Sequence, residues 1–77
     1  MTTQLLLRYD SFDRAAYDAD AEDRGGAGLT QLQLWREESG AHWALFSVTD
    51  TDRARAWVKK ETGPGHGPAE FHLLETA

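Results

Sequence analysis

The chain contains no cysteine, so neither disulfides nor thiolate metal sites contribute to its stability, and it has no need of an oxidising compartment. Basic charge is scarce as well. Eight Lys and Arg stand against thirteen Asp and Glu, for a formal net charge of -5, and Lys59-Lys60 is the one adjacent basic pair. Phosphate neutralisation drives nucleic-acid binding, and this balance gives it no footing. Long apolar runs are also missing. MTTQLLLRYD has three consecutive Leu but no basic flank, so neither a secretory leader nor a membrane span is expected. A soluble, cytoplasmic protein with no membrane partner is the default. Size is the last shortage. Seventy-seven residues predict one domain, residues 1–77, burying about 60 % of its unfolded surface, so a partner chain would supply useful burial.

What the chain does have is alternation. Residues 29–49, LTQLQLWREESGAHWALFSVT, read as two strands joined by a tight polar turn. Gly40 stands where a left-handed residue is needed, which suits a three-residue loop closed by a Gly bulge. With Trp35 opposite Trp43, parity puts Leu32, Leu34, Ala44, Phe46 and Val48 on one face. Gln31, Gln33, Trp35, Trp43, Leu45 and Ser47 fall on the other. A slip of one residue would mix the two sets.

The flanks each read as one strand and one helix. QLLLRY, residues 4–9, is a buried strand. Asp10 and Ser11 are N-cap types, Asp13 falls in the first turn, and residues 12–23 form a helix with Phe12, Ala15, Ala16 and Ala19 as its apolar stripe. Gly25-Gly26 stops it. After the hairpin, Asp50-Thr51-Asp52 opens a second helix with Ala54, Trp57 and Val58 as its stripe and Lys59-Lys60 near its C-terminal end. TGPGHGP, residues 62–68, is a loop. AEFHLLE, residues 69–75, is a last strand with Phe71 and Leu73 on one side and His72 and Leu74 on the other. The order βαββαβ closes most simply into an α+β, ferredoxin-like domain: a four-stranded antiparallel sheet with both helices on one face.

Helices cover one face only. Leu5, Leu7, Leu32, Leu34, Phe46, Val48, Phe71 and Leu73 are assigned to it, against Phe12, the Ala stripe, Trp57 and Val58. The other face then carries Leu6, Arg8, Gln31, Gln33, Trp35, Trp43, Leu45, His72 and Leu74. Exposed sheet surfaces are mostly polar, whereas two Trp and three Leu make a patch that calls for a partner. The expected partner is a second copy, sheet against sheet about a two-fold axis. The plainer alternative is a monomer whose Trp pair stabilises the hairpin by cross-strand stacking.

Over nearly its whole length the chain resembles the dimeric α/β-barrel superfamily, which includes antibiotic-biosynthesis-monooxygenase-like and polyketide-cyclase-like domains. The resemblance rests on a strand leading into YDSFDRAAYDAD, on GLTQLQLWRE after a Gly-rich stop, on the strand-to-helix junction ALFSVTDTDRARAWV, and on a final strand after a Gly/Pro loop. It implies a ferredoxin-like homodimer and, as one activity of the superfamily, cofactor-free oxygenase or cyclase chemistry on a small apolar or aromatic molecule. The region before the last strand is shorter than in many relatives. The chain has no Asn, so the Asn-Trp-His haem-degrading site of some relatives does not carry over.

Residue chemistry points to no reaction. His42 and His72 lie on different strands and opposite faces, His66 lies in a loop, and no pair has helical ligand spacing, so no metal site is expected. His72 shares a face with Arg8, as an interface histidine more readily than a catalytic base. Gly25-Gly26-Ala27-Gly28 follows a helix, whereas a phosphate cradle precedes one, so it is a turn. Loop 62–68 is a plain connection or, less simply, a flap bearing His66. Tyr9, Phe12, Tyr17 and Trp57 either line a ligand pocket between helices and sheet or are packing. No catalytic residue and no cofactor is assigned. The expectation is a non-enzymatic dimerisation or accessory module, with a small-molecule-binding protein or enzyme as the alternative.

Overall fold

Alternate burial along β1 (Thr3–Tyr9) orients the whole sheet: Leu5, Leu7 and Tyr9 are buried, while Gln4, Leu6 and Arg8 point to the opposite, half-exposed face. The computed structural model describes residues 2–62 and 67–77. It continues with α1 (Arg14–Ala19), α2 (Ala21–Gly26), β2 (Leu29–Arg36), β3 (His42–Val48), α3 (Thr51–Thr62) and β4 (Glu70–Glu75). The strands form one antiparallel sheet in the order β2-β3-β1-β4. The core lies on the helical side, where Leu5, Leu7, Ala44 and Phe46 meet Tyr17, Ala54, Trp57 and Val58.

The hairpin turn has the expected form. Glu37 N–H donates to Ala41 O at 2.8 Å, Gly40 N–H donates back to Glu37 O at 3.0 Å, and Gly40 has φ +94°. Trp35 pairs with Trp43. Farther along β2, however, the register shifts. Gln31 pairs with Phe46 and Gln33 with Leu45, which leaves Leu32 as a bulge. Two expectations are thereby corrected. Leu32 is not core but 49 % exposed, and Gln31 belongs to the helical face, where it meets Tyr17. The cause is parity. Leu29 opposite Val48 and Leu34 opposite Ala44 both turn towards the core, and residues an odd number apart share a face only if one residue between them is looped out.

The first helical region also departs from expectation. It is two short helices joined at Asp20, where ψ is 2° and one N–H is shared between Ala16 O and Tyr17 O at 3.2 and 3.3 Å. Its cap is Asp13, whose side chain accepts from Ala16 N–H. The helix continues through Gly25-Gly26, and the chain turns at Gly28, φ +79°. Its buried positions are Tyr17 and Arg24, while Ala15 and Ala19 are exposed. Methyl groups bury little area, and the Tyr17 ring has far more to gain from the core. Phe71 likewise sits on the helical face but is 44 % exposed, since β4 is an edge strand that the helices cover incompletely. In α3 the expected stripe Ala54, Trp57 and Val58 is buried.

Candidate functional site

Tyr9 at the end of β1, Phe12 before α1, Tyr17 on α1 and Trp57 on α3 line one cleft, together with Asp13, Asp20, Arg24, Glu61 and Pro68. The expected four aromatics therefore come together. They do so by packing on one another. Tyr9 meets Phe12 and Tyr17 edge-on at ring separations of 5.5 and 6.0 Å, and Phe12 lies 5.0 Å from Tyr17. The space left between them is about 20 Å³, which accommodates about one water and no aromatic ring. Trp57 Nε1 is buried and has no acceptor among the described residues.

Arg24 is the group that sequence reasoning missed. It is 7 % exposed, with its guanidinium 3.9 Å from the Tyr17 ring centre and its Nη1 donating to Tyr17 O at 2.7 Å. At the helix break that carbonyl keeps only a share of the Asp20 N–H, at 3.3 Å, and a cation is favoured at a helix C-terminus. The spacing Tyr17 to Arg24, two helical turns, was the available signal. The Tyr17 hydroxyl donates to Gln31 Oε1. Burial pushes the pKa of Tyr9 and of Tyr17 up, with Arg24 opposing in both cases.

Beside the cleft, carboxylate oxygens of Asp20, Asp23 and Glu61 lie within 4.8 Å of one another. Burial and then the neighbouring Asp20 charge raise the pKa of Glu61, with Lys60 acting in the opposite sense. Lys60 Nζ reaches Asp23 at 3.4 Å across an open groove between α2 and α3. The segment 63–66, which includes the candidate flap residue His66, falls outside the described residues.

The other face of the sheet gathers the second group. Pairings Leu6–Leu45, Arg8–Trp43, Leu6–His72 and Gln4–Leu74 place these side chains on the surface that no helix covers. Gln33, opposite Leu45, and Trp35, opposite Trp43, extend it onto β2. All eight expected interface residues thus share one face, and Trp35 and Leu74 are 44 % and 41 % exposed. An ionic chain runs through it. Arg8 Nη1 pairs with Asp10 at 2.8 Å, Arg8 Nη2 with Glu70 Oε1 at 2.7 Å, and His72 Nε2 lies 2.9 Å from Glu70 Oε2. The His72 hydrogen bond, helped by Arg8, holds the Glu70 carboxyl below its ordinary pKa. The Arg8 guanidinium also stands 6.0 Å over the Trp43 ring, and the Trp43 indole N–H donates to Glu37. These contacts hold the aromatic and charged groups in place without covering them.

Among family models, curated proteins and solved structures, none gives a significant match to this chain. Among the described residues, no helix is long and apolar enough to cross a membrane.

Proposed function

We propose that this protein is a small homodimeric module without catalytic activity, associating through the uncovered sheet face. The observation that carries this reading is the outer face itself, with Leu6, Trp35, Trp43, Leu45 and Leu74 on the side opposite the helices. Four strands of about seven residues make a face of about 20 by 23 Å in projection. With side-chain relief, two such faces approach the roughly 1,200 Å² total at which specific interfaces begin. The face is also self-complementary in kind, since it offers an apolar centre and charges of both signs to its own copy. Counting α1 and α2 as one broken helix, the element and strand order fit a ferredoxin-like βαββαβ domain of the dimeric α/β-barrel kind. Cytoplasmic residence belongs to the same reading.

The test is sedimentation of the full chain at micromolar concentration. A dimer whose Trp fluorescence becomes shielded from quenchers on association supports the module, and a persistent monomer with exposed Trp35 and Trp43 refutes it. The alternative, a binder of small apolar or aromatic molecules or a cofactor-free monooxygenase- or cyclase-like enzyme, draws on the assembly of Tyr9, Phe12, Tyr17 and Trp57 around one cleft. Occupancy by a ring requires those side chains to separate. Saturable shifts of the Trp57 and Tyr17 resonances on adding indole would favour that reading.

A further inference from the structure

The ionic chain on the outer face changes its net charge with one proton, and this bears on the sheet-to-sheet dimer just proposed, on which the inference rests. Glu70 engages both oxygens, Oε1 with Arg8 and Oε2 with His72 Nε2. A carboxylate only accepts, so Nε2 carries a hydrogen and Nδ1 is the nitrogen that gains or loses the second one. With Nδ1 bare, Asp10, Arg8, Glu70 and His72 sum to one negative charge; with Nδ1 protonated they sum to zero. Among the described residues, few face His72. Glu70 lies on its own strand, and β1, the sole sheet neighbour of β4, brings Leu6 directly opposite and Arg8 beside it.

A two-fold dimer brings a second such chain into the same desolvated layer. Burying two clusters of like net charge costs more than burying two neutral ones. Imidazole is the side chain whose charge changes between pH 6 and 8. We propose that proton uptake at His72 Nδ1 tightens the dimer, making this protein a proton-linked self-association module.

The experiment is sedimentation equilibrium of the full chain at about pH 8 and about pH 6, at constant ionic strength. Wild type is expected to dimerise about tenfold more tightly at the lower pH. His72→Gln keeps a donor for Glu70 but cannot acquire charge, so its affinity should be the same at both values. His42→Gln, on the opposite face, should retain the wild-type response, which separates the effect from a general loss of negative charge. Equal wild-type affinity at the two pH values, or a tenfold response persisting in His72→Gln, overturns the inference while leaving the dimer intact. A wild-type monomer at both values overturns the dimer and the inference together.

Discussion

At the scale of single residues, Arg24 shows how a charge is accommodated in a small core. Its guanidinium stacks against the Tyr17 ring and donates to the Tyr17 carbonyl, so one residue supplies both a face and an acceptor. Arg24→Ala removes a charge-assisted hydrogen bond and the packed stem together, and should cost about 2 kcal/mol in urea unfolding. Arg24→Met, which keeps most of the stem, should recover about half. Glu61 sets a pH dependence. Its folded pKa is raised from the ordinary 4.5, so the stability it contributes is full below that value and declines as pH rises through the raised one. Glu61→Gln resembles the protonated acid. It should match wild type near pH 4 and exceed it near pH 7 by a few tenths of a kcal/mol, a small figure because the site is partly solvated. Unfolding curves at the two pH values measure the difference.

At the scale of elements, two glycines do different work. Gly40 has left-handed backbone in open space, whereas a Cβ on Gly28 would collide with Thr49 Oγ1. Gly28 O also accepts from Thr49 N–H at 3.0 Å, which ties the exit of α2 to the end of β3. Gly40→Ala should therefore cost about 1 kcal/mol of backbone strain, and Gly28→Ala clearly more, by chemical denaturation of each variant. Only the first of these positions was legible in the sequence, because a hairpin turn is a local object and a clash with Thr49 is not. The same division runs through the rest of the fold. Strand alternation, the Trp35–Trp43 pairing and the stripe of α3 all follow from local period. The bulge at Leu32 depends on Leu29 and Leu34 both being drawn to a core that only the complete sheet defines, and the contact of Arg24 with the Tyr17 carbonyl depends on a helix break at Asp20 that no local period announces.

At the scale of the whole molecule, the two sets of residues to weigh are the aromatic group and the outer face. Both sets of residues were legible as sets. What the alternation could not convey was volume: whether Tyr9, Phe12, Tyr17 and Trp57 surround a space or fill it depends on ring angles that only tertiary packing determines. They fill it, leaving about 20 Å³. The proposed dimer draws on the outer face instead. Trp43 is opposite Arg8 on the central strand pair, where interface energy tends to concentrate. Trp43→Ala should weaken the proposed dimer by about 2 kcal/mol, roughly thirtyfold in Kd, with little change in the unfolding of the monomer. Sedimentation equilibrium of the variant beside wild type reads the first quantity, and urea unfolding the second.

The looped-out Leu32 also bears on how far association can go. β2 is an edge strand, and a regular eight-residue edge would offer an uninterrupted ladder of backbone donors and acceptors to any other copy. Edge-to-edge pairing that engages both β2 and β4 repeats without limit and ends in filaments. One extra residue in the middle of β2 breaks the ladder and twists the strand, so no partner edge can follow it for its full length. Two-fold association through the broad face would close after two copies, whereas pairing that used both sheet edges, β2 and β4, would not. The same bulge that lets Leu29 and Leu34 share one core thus also makes β2 a poor template for edge pairing.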